Sequence, residues 1–264
     1  MRYLIISLIF LTNAVFAQDD KAILNYETEK HKYVLNPDSS DLLCIDEINR
    51  AKEDISNGKI VFTQQVGFIF GFLRYEDELK LLCKEEGLYY EVDLISDDII
   101  EGQIQGCYGY YMDNFISENY GNDFKAKLHK KADSLYLVNV NKQNKAVEYY
   151  DCDERPRLPN ESKRTTDYIQ SIKITEPNIQ KQEGEYGGWP FFDLGFIVEK
   201  DSTITSFYIN NYVAKHNENE KYKNELFDIV VKHIKENYPI WVPGKILGTP
   251  VRTDNNVRIH IMKT

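Results

Sequence analysis

The chain has 264 residues, 42% of them apolar, 28% charged and 13% aromatic, enough apolar material for one large or two small cores, which excludes disorder throughout. Lys plus Arg number 32 against 42 Asp plus Glu, a formal charge of −10, so no basic surplus exists to neutralise a run of phosphates and nucleic acid is not expected as a partner. Eight Pro and 14 Gly are too few for a collagen-like chain or a Pro-rich spacer, and no apolar run approaches the roughly 20 residues that span a bilayer.

Residues 1–17 read as a secretory signal peptide. Arg2 is followed by an apolar stretch from Tyr3 to Leu11, and the spacing Val15-x-Ala17 places small residues ahead of the charged Gln18-Asp19-Asp20. The expected mature chain starts near Gln18, is free in the periplasm and has no stable membrane insertion. A retained anchor is the alternative. In an oxidising compartment Cys44, Cys83, Cys107 and Cys152 permit two disulfides in three connectivities, with buried free thiols as the rival reading. No pair is spaced C-x-x-C, and Asp151, Asp153 and Glu154 around Cys152 disfavour its thiolate.

Gln18 to Cys152 contains 15 basic and 26 acidic residues, whereas Asp153 to Thr264 has 16 of each. All four cysteines precede the shift, and Arg155-Pro156-Arg157-Leu158-Pro159 follows it, so a boundary is placed near residue 153, between an acidic domain (18–152) and a second one (153–264).

The acidic half reads as α+β. A helix capped by Ser40 carries Cys44, Ile45, Ile48, Ala51 and Ile55 and stops at Asn57-Gly58; Lys59 to Gln65 is extended. Glu76 to Glu86 is a helix with Leu79, Leu82 and Cys83 inward, and Leu88 to Ile95 a strand. A third helix is predicted from Tyr111 to Asp133, with Gly121 as its weak point, then a strand from Leu135 to Val140. Tyr108, Tyr110 and Tyr111 read as aromatic packing over a small core, with a recognition surface as the alternative. Asp97-Asp98-Ile99-Ile100-Glu101 reads as a solvated acidic turn, lacking the spacing of a calcium loop. His31 and His129 have no metal or nucleophile motif around them.

The second half reads helix, strand, strand, helix, strand. A short helix runs from Asn160 to Ile172; Leu194 to Glu199 and Ile204 to Ile209 form a hairpin over Lys200-Asp201-Ser202-Thr203. A helix from about Asn219 repeats Tyr222, Leu226, Val230 and Ile234 every four residues and closes at Pro239. A turn-rich connector follows, with Trp241, Pro243, Gly244, Lys245, Gly248, Pro250 and Val251. Last comes a half-buried strand, in which Val257, Ile259 and Ile261 alternate with Arg258, His260 and the polar side toward Lys263.

The connector resembles the C-terminal domain of TonB and TonB-like proteins, whose pattern W-x-P-G-K-x-x-G-x-P-V is met at those seven positions. The resemblance extends to the hairpin from Phe196 to Thr205, where Ser202 stands at a usual Gly, and covers 153–264. It implies an antiparallel sheet backed by two helices, and an exposed edge strand that takes a peptide of an outer-membrane transporter. On the residues themselves the connector is structural: Trp241 and Pro243 fix a turn, Gly244 and Gly248 supply positive φ. Partner contact is expected along Asn256, Val257, Arg258, Ile259, His260, Ile261 and Met262. The reading is a non-enzymatic protein or peptide binder without cofactor or metal. The alternatives are an exported enzyme or small-ligand binder using His216, His233, His260 and carboxylates between the halves, or an energy transducer if the leader is retained.

Overall fold

Apolar side chains at helical spacing build the first element. The computed structural model describes residues 29–67, 72–95, 101–162, 170–176, 178–184 and 187–263; the signal-peptide reading lies outside them. Helix α1 (Leu42–Ser56) buries Cys44, Ile48 and Ala51 and ends at Asn57-Gly58, where Gly58 takes φ +76°. Its cap is Asp41, not Ser40. The fully buried Asp41 carboxylate accepts the Cys44 N–H at 3.1 Å, the Ile104 N–H at 3.0 Å and the Tyr33 hydroxyl at 3.0 Å.

Strands β1 (Val61–Val66) and β2 (Tyr89–Leu94) pair in parallel, which requires a crossover, and α2 (Glu76–Glu85) supplies it. Phe62, Leu79, Leu82, Cys83 and Leu88 pack together with Leu128 and Ala132. Helix α3 (Cys107–Tyr120) buries Tyr108 and Tyr110, so the tyrosine cluster is core packing. A disulfide joins Cys44 to Cys107, tying α1 to the start of α3; Cys83 and Cys152 are buried free thiols, and only one of the two permitted bridges forms. Burial pushes the Cys83 thiol up to about 12, which leaves it unreactive at neutral pH.

The helix predicted over Tyr111 to Asp133 is two helices. Gly121, at φ +101°, ends α3, and α4 (Phe124–Gln143) runs on through the predicted strand Leu135 to Val140. The reason is visible in the spacing: Leu128, Ala132, Tyr136 and Val140 lie four apart, and this repeat outweighs the β-branched character of the segment. The described chain forms two compact units divided within α4, between Leu135 and Tyr136. Tyr136, Leu137, Val140, Val147 and Cys152 pack with Ile246 and Val251 in the second unit, although they precede the charge shift.

In the second unit, β5 (Phe191–Val198) and β6 (Ile204–Val213) form the expected antiparallel hairpin, and β9 (Thr253–Met262) runs antiparallel to β5 on its other side. Beyond β9 lie two parallel strands, β3 (Val147–Glu148) and β4 (Gln170–Thr175). The helix expected from Asn160 to Ile172 is corrected here: Gln170 to Thr175 is a strand, because Ile172 and Ile174 alternate into the core at period two, and 163–169 lies outside the described residues. Helix α5 (Lys223–Asn237), entered through a 3-10 turn at Asn217–Tyr222, buries Leu226, Val230 and Ile234 against one face of the sheet. A small hairpin pairs β7 (Lys245–Ile246) with β8 (Thr249–Pro250). The fold is α+β.

Two measurements test this organisation. Replacing Cys44 and Cys107 by Ala opens a loop with a sequence separation of 63 and is expected to cost about 2–4 kcal/mol in the denaturant midpoint of the first unit. A fragment of residues 136–264 is expected to melt cooperatively, and one of 153–264 to melt lower, since it lacks the Val140, Val147 and Cys152 contacts; equal midpoints would show that 136–152 contributes nothing.

Candidate functional site

The connector is held by the buried Trp241 and by main-chain hydrogen bonds to neighbouring segments. Trp241 is fully buried, edge-on to Phe196 at 5.1 Å, and its Nε1–H donates to the Tyr238 carbonyl at 3.0 Å. Its backbone N–H donates to the Ser202 carbonyl at 3.0 Å, so the connector is pinned to the tip of the β5–β6 hairpin. Val242 and Lys245 exchange main-chain bonds with Arg157 and Glu154, and the Lys245 ammonium lies 3.6 Å from the Glu154 carboxylate. Pro243 and Val251 are buried, while Pro250 is exposed in β8. One expectation for these residues needs correction. Gly248 takes φ +74° beside Leu247 at +49°, as a two-residue primed turn requires, but Gly244 does not adopt positive φ. At Gly244 a Cβ would stand 2.5 Å from Thr253 Oγ1 and 2.6 Å from Cys152 Sγ, so close approach is what selects glycine there.

Ser202 stands in the hairpin turn at φ +76°, a left-handed conformation that strains an L side chain. Asp201 holds the turn by accepting the Thr203 N–H and hydroxyl at 3.0 and 2.6 Å, and these bonds keep its carboxyl below the usual range.

The strand expected as a free edge is interior. Val257, Ile259 and Ile261 are fully buried, and Asn256, Arg258, His260 and Met262 are half-buried on the opposite face, as the alternation predicts. Yet β9 is paired on both sides: by β5 over Thr253 to His260, and by β4 in six consecutive pairs from Gln170↔Val257 to Thr175↔Met262. The correction has a simple cause, since the sequence pattern reports which face of a strand is buried and not which strands flank it. Arg258 is held as well. Its guanidinium makes a bidentate ion pair with the buried Asp193 at 2.7 and 3.0 Å and lies over the Phe191 ring at 4.3 Å. His260 is also set against Phe191, and burial, helped by Arg258 and Lys173, holds its pKa below the ordinary value.

The outer strand on the other side is β6, whose free edge is blunted. Its register with β5 slips between Asp193 and Leu194 and again between Gly195 and Ile197, leaving Asn210 as an extra residue and Ser206 at φ +55°. Tyr208 lies flat over Gly195, where a Cβ would collide with its ring, and its hydroxyl donates to the Asp254 carboxylate.

The histidines named for an enzymatic alternative sit on separate elements with local contacts. His216 Nδ1 accepts the Glu218 N–H at 3.2 Å, His233 on α5 lies beside Asn237, and His260 is on β9. Among the described residues no group of three or more His, Cys, Asp or Glu is arranged to hold a metal ion, and no helix is long and apolar enough to cross a membrane. Two features escaped the sequence reading. Asn219, fully buried, bonds the Gln180 and Ala214 carbonyls at 2.8 Å each and so fixes the loop that leads from β4 into β5. The other is β4 itself, whose Ile172 and Ile174 fit the end of a helix as well as a strand. Comparison of the chain with protein-family models, curated proteins and solved structures finds no match in any of the three.

The connector analysis makes one paired prediction, read from thermal or denaturant midpoints. Ser202→Gly is expected to raise stability by about 0.5–1 kcal/mol by relieving the positive φ, and Trp241→Ala to lower it by about 3–5 kcal/mol. A destabilising Ser202→Gly would mean that the turn is not strained.

Proposed function

We propose that the second unit is a TonB-like binding module of an exported, periplasmic, non-enzymatic protein, and that it takes an extended protein segment as a strand added at the outer side of β4, the strand next to β9. The observation that carries this reading is the regularity of β4: it pairs with β9 over six consecutive pairs without a register break and no described strand pairs with its other side, whereas β6 slips twice in its register with β5. Main-chain pairing of that kind supplies affinity, and the alternating pockets along the strand supply selectivity. The partner class is a protein or peptide, a segment of an outer-membrane transporter being the one that the resemblance implies. No cofactor enters the reading. The Cys44–Cys107 disulfide is in keeping with export.

The test uses the full chain with a photo-cross-linking residue placed singly at Lys173, Thr175 or Asn210, illuminated in the native envelope. Adducts of one defined size at Lys173 and Thr175, and none at Asn210, are the expected result. Adducts at Asn210 alone would move the site to β6. No adduct at any of the three would overturn binding by this sheet.

A further inference from the structure

Helix α4 carries Lys125, His129 and Asp133 four residues apart, so the three side chains form one row along it. The middle one is set among aromatic groups of the first unit. The His129 ring stands edge-on to Phe62 of β1, with centroids 5.4 Å apart, and to Tyr75 at the start of α2, at 5.9 Å, and its Nδ1 lies 3.4 Å from the Tyr75 hydroxyl. Its two neighbours in the row are neutralised from other elements. Lys125 lies over the Phe62 ring at 4.4 Å, donates to the Thr63 carbonyl at 3.0 Å and pairs with Asp113 of α3 at 2.6 Å. Asp133 accepts two bonds of 2.8 Å from the Arg74 guanidinium. The other titratable groups of this core, Cys83 on α2, Tyr90 on β2 and Tyr75 itself, are pushed up by burial and stay neutral. A proton on His129 therefore places a second cation one helical turn from Lys125, while Asp113 and Asp133 are committed to Lys125 and Arg74.

We propose that His129 is the trigger of an acid-sensitive release, in which its protonation frees the first half of α4 from the core of the first unit. That half contributes Phe124, Leu128 and Ala132 to the cluster of Phe62, Leu79, Leu82 and Cys83, so loosening it opens this core. The second half, with Tyr136, Leu137 and Val140, packs in the second unit. The helix thus has two separable holds, and only the first contains the trigger. Burial, and Lys125 after it, keep the His129 pKa below its ordinary value, with Asp113 acting the other way. The unfolded chain therefore takes the proton more readily than the folded one. The stability that neutral His129 contributes is present above about pH 6.5 and is lost as the pH falls through the lower, folded value. The device belongs to the first unit and stands whether or not the second binds a strand.

The experiment is amide hydrogen exchange of the full chain, read by mass spectrometry on peptides from 124–135 and 136–143 at about pH 7 and about pH 5.5, with the intrinsic pH dependence of exchange divided out. In the wild type, protection over 124–135 is expected to fall at least about 5-fold at the lower pH, and protection over 136–143 to stay within about 2-fold. His129→Gln, which stays neutral and keeps a polar group beside Tyr75, is expected to abolish this response. Lys125→Gln, which leaves Asp113 to neutralise a charged His129, is expected to reduce it. Unchanged protection of the wild type between the two pH values, equal loosening of both halves of α4, or a full response in His129→Gln would each overturn the proposal. Should His129→Gln fail to fold at neutral pH, Lys125→Gln decides, a reduced response supporting the trigger and a full one overturning it.

Discussion

Every N–H and C=O of a buried strand must be paired, and in the second unit this requirement converges on β9. It is the strand to which β3, β4 and β5 all bond, and it supplies Val257, Ile259 and Ile261 to the core beneath α5. The connector is the device that delivers the chain to this position. Trp241 fixes its start to the hairpin tip at Ser202, Gly244 lets it pass against Thr253 and Cys152, and the Leu247-Gly248 turn reverses it before Arg252. Arg252 then pairs with Glu199 at 2.6 and 2.9 Å and donates to the Asn144 carbonyl, so the start of β9 is anchored to β5 and to the loop after α4.

The first unit is held by a different device. Its sheet has only two described strands, too small to stabilise itself, and the load falls on the ties between helices. The Cys44–Cys107 bridge joins α1 to α3, and Asp41 fastens the preceding loop to Ile104. Glu47 of α1 accepts the Tyr108 N–H at 3.2 Å, which caps the otherwise uncapped start of α3 with a carboxylate. Burial nevertheless raises the Glu47 pKa, with Asp93 adding to the shift, so this cap is made against a desolvation cost.

Local patterns in the sequence carried much of the fold. The four-residue spacing of Leu226, Val230 and Ile234, the turn residues around Asp201, and the alternation of Val257, Ile259 and Ile261 each correspond to an element where they stand. What was not legible is relational. Ile172 and Ile174 are as compatible with the end of a helix as with a strand until β9 is beside them, and the four cysteines give no pairing until α1 and α3 are brought together. The same limit applies to the site: the seven residues from Asn256 to Met262 form the expected half-buried strand, but their neighbours come from segments far apart in the chain. The seven connector residues were legible because their constraints are local, and Gly244 is the exception, its close approach involving Cys152 and Thr253.

Departures from local rules are informative because a chain tolerates them only where something else requires the geometry. In the second unit, Ser202 and Leu247 adopt positive φ, and each sits at a tight hairpin turn whose strands dictate that conformation. Asn255 is different. It stands between Thr253 and Val257 on the buried face of β9, opposite Phe196 of β5, where an apolar side chain would satisfy the core and leave no polar atom stranded. No turn or cap calls for asparagine at that position. Its amide is desolvated without a hydrogen bond in return, a cost that the fully buried Val257, Ile259 and Ile261 of the same face offset.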